Sequence, residues 1–261
     1  MNLFKDIQLF LLDMDGTLNF EDQLIPGAKE FIKTLMDHNK QYVYLTNNSS
    51  KCGKDYVQKM RRLGLSCDDH QVFTSGMAMG LFLSSERKDK TVYLVGTKAL
   101  KCELLSYGIH LIDEKPDIVV VGFDRELQYK KLELACEFLS EGAEFLATNV
   151  DKVCPIQNGR YIPDCGCMCD MLEIATKKKA RYIGKPNREM IDILAKEYKL
   201  ENHQIAMVGD RIYTDIATAI NAQARSILVL SGETKLEDVK NSSLKPDHIF
   251  ESVNELKDYF N

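Results

Sequence analysis

Short apolar runs alternate with amphipathic stretches along most of the 261 residues. The apolar runs predict strands at Ile7–Leu12, Tyr42–Leu45, Val92–Val95, Ile118–Val121, Phe145–Ala147, Ile205–Val208, Ile227–Leu230 and His248–Ile249. The amphipathic stretches predict helices at Tyr56–Leu63, Ala99–Leu105, Tyr129–Leu139, Met168–Lys177, Glu189–Tyr198 and Tyr213–Asn221, besides one that Pro26 opens and one near the end. Strands that alternate with helices in this way are typical of α/β layers around a parallel sheet.

The polar residues that suggest chemistry concentrate in two blocks, at residues 13–49 and 184–215. The part between them has its own strand and helix patterns but only scattered polar signals. The sequence therefore predicts an α/β protein with a Rossmann-like parallel-sheet core at residues 1–75 and 182–261. A smaller α/β cap domain, residues 76–181, is predicted to be inserted into that core.

Composition and charge argue against some classes of binding partner and favour one cellular compartment. The formal net charge is −5, which argues against nucleic acid or an anionic membrane surface as a partner. The run Ile118–Val121 has the length of a strand and cannot cross a bilayer. The apolar run Leu9–Leu12 is too short for a secretory signal, so the eight cysteines predict reduced thiols in the cytoplasm.

Asp13–Thr17, with the sequence DMDGT, follows the first predicted strand directly. Ligands of open α/β sheets bind at the carboxyl ends of strands, which places both carboxylates at the mouth of a site. A carboxylate can act as the nucleophile in phosphoryl transfer, and a second one two residues later can handle a proton. The alternative is a pair of acids in a solvated turn.

Two further segments sit at strand ends. Leu45–Ser49 reads LTNNS, and its hydroxyl and backbone amides can donate to phosphate oxygens, although such residues are also common in turns and helix caps. Gly184–Asn187 reads GKPN, and its Lys185 could neutralise a phosphoryl group. The alternative for Lys185 is an ordinary surface lysine.

The fourth segment, Val208–Asp215, reads VGDRIYTD and again follows a strand. Asp210 is a hard oxygen ligand of the kind that Mg²⁺ prefers, and Asp215 could orient Lys185 or Asp210. Two carboxylates 4 Å apart repel by about 4 kcal/mol at an effective dielectric constant near 20. If the acidic residues of the first and fourth motifs lie close together, we therefore expect a divalent cation and a lysine beside them.

These four motifs, in this order, resemble the signature of the haloacid dehalogenase superfamily of phosphatases. The insertion between the second and third motifs, with the segments LTNNS, ATNVD at 147–151 and VGDR, resembles the NagD and p-nitrophenylphosphatase branch and its large α/β cap. The resemblance implies that Asp13 is the nucleophile and a Mg²⁺ ligand, and that Asp15 is the general acid–base and a ligand through its backbone carbonyl. It also implies that Thr46, Asn47 and Lys185 bind phosphate, and that Asp210 completes the protein ligands of the metal.

The same resemblance implies hydrolysis of a small phosphate ester, such as a sugar phosphate or nucleoside monophosphate, with p-nitrophenyl phosphate as an artificial substrate. In the cap, Asn149, Asp151 and the loop Asp164–Met168 are candidates for substrate specificity, whereas Val150 departs from the proline that relatives often carry. Two other functions stay open: a phosphotransferase or mutase, and a phospho-receiver-type binding module. A homodimer is also left open, and the spacing of Cys165, Cys167 and Cys169 is unlike that of structural zinc sites.

Overall fold

The computed structural model describes residues 3–156 and 160–260. The chain folds into two compact units, of which the first comprises Met1–Thr46, Lys54–Phe73 and Lys185–Asn261. The second comprises Asn47–Gly53 and Thr74–Gly184. The cap boundaries at 76 and 181 stay a prediction, and residues 47–53, which that prediction assigns to the core, group with the second unit.

The elements are named here in chain order. The strands are β1 (Leu9–Asp13), β2 (Asn19–Phe20), β3 (Gln23–Leu24), β4 (Gln41–Thr46), β5 (Val72–Thr74), β6 (Thr91–Val95), β7 (His110–Leu111), β8 (Ile118–Val121), β9 (Glu144–Ala147), β10 (Val153–Ile156), β11 (Arg160–Pro163), β12 (Arg181–Tyr182), β13 (Ile205–Gly209), β14 (Arg225–Val229) and β15 (His248–Phe250). The α-helices are α1 (Ala28–Asp37), α2 (Gly53–Arg62), α3 (Ser75–Glu86), α4 (Lys98–Ser106), α5 (Tyr129–Glu141), α6 (Cys165–Thr176), α7 (Glu189–Tyr198), α8 (Ala217–Ala222), α9 (Leu236–Asn241) and α10 (Val253–Leu256). Short 3₁₀ turns lie at Asn202–Gln204 and Lys257–Tyr259, and a π-helical turn lies at Ile212–Ile216.

The first unit is built on a sheet with the strand order β15-β14-β13-β1-β4-β5. The central strand β1 pairs in parallel with both β13 and β4, and β13, β14 and β15 are also parallel. Leu9–Leu12 is fully buried, which explains why β1 is a continuous apolar run rather than an alternating one. The carboxyl ends of β1, β4 and β13 therefore meet at one edge of the sheet.

Aromatic packing closes one face of this sheet. The ring of Phe260, near the end of the chain, lies 5.1 Å from Phe4, 5.6 Å from Phe10 and 6.3 Å from Phe31 between ring centroids. All four side chains are buried. The first strand, the first helix and the last turn of the chain thus share one core, which supports the sheet below the strand ends.

The second unit has its own parallel sheet, in the order β12-β9-β8-β6-β7. Its central strand β8 is entirely buried, and α5 and α6 pack on it through a core that includes Phe138, Met168 and Leu172. An antiparallel hairpin, β10–β11, precedes α6. The prediction of an α/β fold with parallel sheets is confirmed.

Several elements differ from the predicted pattern: the strands β2, β3, β5, β7, β10 and β11 and the helix α9 were not predicted, and two further differences have a clear cause. Helix α3 was not predicted, because most of its side chains are buried and its sequence, which contains Gly76 and Gly80, lacks an apolar stripe. The predicted single helix Tyr213–Asn221 is wrong in its first part, where the chain forms the π-helical turn before α8 begins at Ala217. That turn carries Asp215 and bears directly on the site.

Candidate active site

Strand register brings three of the predicted site residues to one edge of the sheet. Asp13 is the last residue of β1 and pairs with Leu45, the residue before Thr46 at the end of β4. On the other side, Leu12 pairs with Val208, and β13 ends one residue before Asp210. Residues that are far apart in sequence are therefore placed side by side by the parallel sheet.

Three carboxylates and one ammonium form the centre of this edge. One oxygen each from Asp13, Asp210 and Asp215 lies within 4.8 Å of the other two. The Nζ of Lys185 donates to Asp13 Oδ1 and to Asp215 Oδ1, at 2.6 Å in both cases. The Lys185 side chain is only 3% exposed, so its charge interacts with these carboxylates with little screening by water.

Burial governs the protonation of these groups. It raises the pKa of Asp13 well above its ordinary value, with Lys185 opposing the shift and the other two carboxylates adding to it. It likewise raises the pKa of Asp210 to about 6, with the charge of Asp215 as the next cause. Burial alone would lower the pKa of Lys185, but Asp13 and Asp215 outweigh it, so the net shift is upward and the ammonium stays charged.

Asp210 and Asp215 are held by neighbouring backbone and hydroxyl groups. The backbone N–H of Glu233 donates to Asp210 Oδ2 at 2.7 Å, and the Thr17 hydroxyl donates to Oδ1 at 3.3 Å. The backbone N–H of Arg211 donates to Asp215 Oδ2 at 3.0 Å. Both oxygens of Asp215 are thus engaged, which suits a residue that orients Lys185 and is less suited to a metal ligand.

Gly16 allows the first motif to approach Asp210. Its φ angle is +96°, in the left-handed region that favours glycine, and a Cβ built there would lie 2.6 Å from Asp210 Oδ2. The glycine of the DMDGT segment is therefore required both by its backbone conformation and by the closeness of a carboxylate from the end of β13.

Asp15 lies outside the carboxylate triplet and has partners of its own. Its side chain is 46% exposed, and Oδ1 accepts from Asn19 Nδ2 at 2.7 Å and from Lys59 Nζ at 3.0 Å. The sequence did not indicate either donor. Lys59 is one of several basic residues on the polar side of α2, such as Arg62, and nothing in the helical pattern distinguishes it from them.

The predicted site residues of the second unit lie in a buried polar network. Asn47 Nδ2 donates to Asp151 Oδ2 at 2.7 Å, and Asn149 Nδ2 donates to Asp151 at 3.0 Å and to Asp164 at 3.1 Å. Asn149 is fully buried, and Asp151 is 7% exposed. In this unit these side chains bind one another, and Thr46, at the end of β4, belongs to the first unit.

The segment Asp164–Met168 is a helix start rather than the predicted loop. Helix α6 begins at Cys165, and the Asp164 side chain accepts from the Cys165 backbone N–H as its N-cap. Cys165 and Cys169 are buried in the core of the second unit, whereas Cys167 is partly exposed. None of the eight cysteines forms a disulfide in the described part of the chain.

Within residues 3–156 and 160–260, we find no helix whose length and hydropathy would let it cross a bilayer.

Two family models and several known phosphatases are similar to this chain. A family model described as haloacid dehalogenase-like hydrolase matches residues 10–110, and a second, HAD-hydrolase-like model matches residues 182–256. The chain is 33% identical to the acid sugar phosphatase of Staphylococcus haemolyticus, over 96% of this chain and 95% of that protein. It is 34% identical to the ribonucleotide monophosphatase NagD of Escherichia coli K12, over 96% of this chain and 98% of that one.

The solved structures show the same likeness in three dimensions. The 4-nitrophenylphosphatase of Thermotoga maritima superimposes with a TM-score of 0.94 at 40% identity, over 98% of both chains. Sequence and fold thus match NagD-like phosphatases over nearly the whole length. The chain therefore belongs to the haloacid dehalogenase-like hydrolases, as a NagD-like phosphatase that acts on phosphate monoesters.

Proposed function

We propose that this phosphatase hydrolyses small phosphorylated metabolites with the help of Mg²⁺ and through a transient aspartyl-phosphate, an acyl phosphate, on Asp13. The observation that carries the proposal is the buried set of Asp13, Asp210, Asp215 and Lys185 at the carboxyl edge of the sheet. Asp13 has the Lys185 ammonium and two further carboxylates beside it, which supports a role as nucleophile and a cation bound by these oxygens.

The residues present fit Mg²⁺. When the three carboxylates are ionised, they carry two more negative charges than the one ammonium compensates, and a divalent cation would compensate them. Mg²⁺ prefers hard oxygen ligands and usually takes few carboxylates together with substrate phosphate and water. We propose that Asp13, Asp210 and the backbone carbonyl of Asp15 hold it. When bound, it would lower the negative charge at Asp13 and at the phosphate oxygens.

In the first step, a carboxylate oxygen of Asp13 attacks phosphorus in line with the leaving oxygen. The new bond joins Asp13 to phosphorus, the ester P–O bond breaks, and Asp15 gives its proton to the leaving alkoxide. Because burial raises the pKa of Asp13, the reaction needs nearby positive charge to keep Asp13 ionised. Lys185, at 2.6 Å, supplies part of it.

In the second step, Asp15 takes a proton from water as the water oxygen attacks phosphorus. The bond between phosphorus and Asp13 breaks, so inorganic phosphate leaves and Asp13 is regenerated. Asp15 is then protonated again and ready for the next ester. Positioning and electrostatic stabilisation supply most of the catalysis of phosphoryl transfer, which is why fixed charges matter more here than covalent chemistry.

Phosphate contacts are assigned by position in the chain. We propose Thr46 and Asn47, at and after the end of β4, and Lys185 as phosphate-binding residues, with Asp215 orienting Lys185. Asn149 and Asp151 are buried, so any effect on specificity would pass through the loop that Asn47 begins rather than through direct contact.

The substrate class rests on the relatives. Their names include an acid sugar phosphatase, a ribonucleotide monophosphatase and a 4-nitrophenylphosphatase. We propose a sugar phosphate or a nucleoside monophosphate as the natural ester, and p-nitrophenyl phosphate as an artificial one. Eight cysteines without a disulfide among the described residues support a cytoplasmic location.

The test is phosphate release from a panel of phosphomonoesters, with Mg²⁺ or with EDTA. We expect metal-dependent release that Asp13→Asn lowers on the order of a thousandfold or more, because the amide is not a nucleophile. The matched control is Asp170→Asn, which changes an exposed carboxylate on α6. Retained activity of a folded Asp13→Asn protein would exclude Asp13 as nucleophile, and transfer of phosphate to an alcohol instead of water would indicate a transferase.

A further inference from the structure

We infer that Lys59, together with Asn19, is a positioning residue that fixes the Asp15 carboxyl group so that Oδ2 exchanges the proton with the leaving oxygen. The inference rests on the role proposed above for Asp15 and adds the residues that make this role possible. The three side chains belong to the first unit and come from the turn after β1, from β2 and from α2.

The two oxygens of Asp15 have different surroundings. Oδ1 accepts from Asn19 Nδ2 at 2.7 Å and from Lys59 Nζ at 3.0 Å. Oδ2 has no hydrogen-bond partner in the part of the chain that the structure describes, and the side chain is 46% exposed. One oxygen is thus anchored by two donors, whereas the other is not, in a side chain of which nearly half is exposed.

Asn19 cannot easily turn away from this contact. The residue is fully buried, its backbone N–H donates to the Met14 carbonyl at 3.0 Å, and its own carbonyl accepts from Gly16 N–H at 2.8 Å. Its Nδ2 also donates to the Glu21 carbonyl at 3.0 Å. If the Asn19 side-chain amide rotated by half a turn, its oxygen would face the Asp15 carboxylate and the Glu21 carbonyl, which are both acceptors. The Nδ2 donor is therefore held toward Asp15.

Lys59 differs from the other cations of its helix. Its side chain is 14% exposed, although lysine normally keeps its ammonium in water, and Asp15 is its ion-pair partner. Arg62, on the same helix, pairs with Asp22, and those two side chains are 66% and 69% exposed. A salt bridge between exposed side chains contributes little, whereas the sheltered Lys59 restricts where the Asp15 carboxyl group can point.

This arrangement suits a group that must give and then take a proton. A protonated carboxyl group donates through its hydroxyl oxygen and accepts through its carbonyl oxygen. With two donors on Oδ1, the carbonyl character falls on Oδ1 and the proton on Oδ2. Rotation about the Cβ–Cγ bond is restricted, so Oδ2 stays in one direction during both steps.

The test compares two esters with the intact enzyme and its Lys59→Met variant. An alkyl ester such as β-glycerophosphate needs a proton on its leaving oxygen, whereas p-nitrophenolate leaves without one. The value of kcat/KM covers the steps up to departure of the leaving group. We expect Lys59→Met to lower kcat/KM about ten- to a hundredfold for the alkyl ester. For p-nitrophenyl phosphate we expect a change of less than about threefold, since that ester bypasses the proton transfer.

The controls separate positioning from folding. Lys59→Arg, which keeps the cationic donor, should recover most of the alkyl-ester activity, and Arg62→Met should leave both esters unchanged. Thermal unfolding of each variant shows whether it is folded. Lys59→Gln is a second variant, which keeps a hydrogen-bond donor but removes the charge. Equal losses for the two esters, or no loss for either, would overturn the inference.

An Asp15→Asn variant distinguishes this inference from the function on which it rests. If Asp15→Asn hydrolyses the alkyl ester as well as the intact enzyme does, the acid role of Asp15 fails and the inference fails with it. If kcat/KM falls selectively for the alkyl ester in Asp15→Asn but not in Lys59→Met, only the positioning role of Lys59 is wrong.

Discussion

The carboxylates of the site differ in whether a positively charged group contacts them directly. Lys185 contacts Asp13 and Asp215 directly, whereas the donors to the Asp210 carboxylate in the described part of the chain are the Thr17 hydroxyl and the Glu233 backbone N–H. Burial, with the charge of Asp215 as the next cause, raises the pKa of Asp210 to about 6, although the charges of Arg211 and Lys185 oppose the shift. A buried carboxylate is costly to ionise unless positive charge lies nearby, and a metal ion at this position would add to that charge.

At the same scale, Gly16→Ala tests the close approach of the two motifs. The new Cβ would meet the Asp210 carboxylate at 2.6 Å, and the φ angle of +96° would strain the backbone by about 1–2 kcal/mol. We expect lower stability together with a loss of activity of about tenfold or more, because Asp210 must move. Urea unfolding and phosphate release measure the two effects.

The matched control for this variant is Gly142→Ala. Gly142 has a φ angle of +111° and nothing within 4 Å of a Cβ built there. It should show the backbone strain without the loss of activity. Equal activities of the two variants would argue that the contact between Gly16 and Asp210 has no catalytic consequence.

At the scale of elements, the ends of strands and helices place the polar groups. The π-helical turn Ile212–Ile216 brings Asp215 back toward the Arg211 backbone, and π-turns are frequent at functional sites. In the second unit, the start of α6 gives Asp164 a double role, because it caps the helix and also accepts from Asn149. Each of these contacts depends on where an element begins.

Asp164→Ala tests this double role. The variant loses an N-cap and leaves a buried amide of Asn149 with one acceptor fewer, so we expect the free energy of unfolding to fall by about 2 kcal/mol. Asp170→Ala, which removes an exposed carboxylate from the same helix, should change it by about 0.5 kcal/mol or less. Urea unfolding measures both, and equal effects would mean that the cap does not stabilise the unit.

At the scale of the whole molecule, the acidic site should make global stability depend on pH. The pKa of Asp210 is about 6 in the folded protein and 3.8 ordinarily. Between these pH values the folded protein keeps a proton that the unfolded chain has lost. Raising the pH through this window therefore lowers the unfolding free energy of the metal-free protein, by about 3 kcal/mol for this group.

Urea unfolding in EDTA from pH 4 to 7 measures this dependence. Asp210→Asn should flatten it, although Asp13, whose pKa is also raised, should keep part of the slope. Mg²⁺ should restore stability above pH 6, by about 2.7 kcal/mol at a concentration one hundred times its dissociation constant. A pH dependence in EDTA that is the same for the intact protein and for Asp210→Asn would contradict the assignment.

The sequence by itself determined the α/β class, the parallel sheets and the four polar strand ends. These features are local: a buried strand shows as an apolar run, as in Leu9–Leu12, and a motif such as DMDGT follows it directly. The missed helix α3 shows the limit of that signal, because a helix buried on most sides has no apolar stripe for a pattern to reveal.

Only the tertiary structure decided which polar groups contact one another. Lys59 lies 44 residues from Asp15, and Lys185 lies 172 residues from Asp13, so strand register and helix packing set these contacts rather than local spacing. The polar residue types of Asn149 and Asp151 suggest an exposed loop. In the structure, however, both side chains are buried and hydrogen-bonded to each other. Sequence determines which chemistry is available, and long-range packing determines which atoms share a site, because hydrogen bonds and charges act over a few ångströms of space.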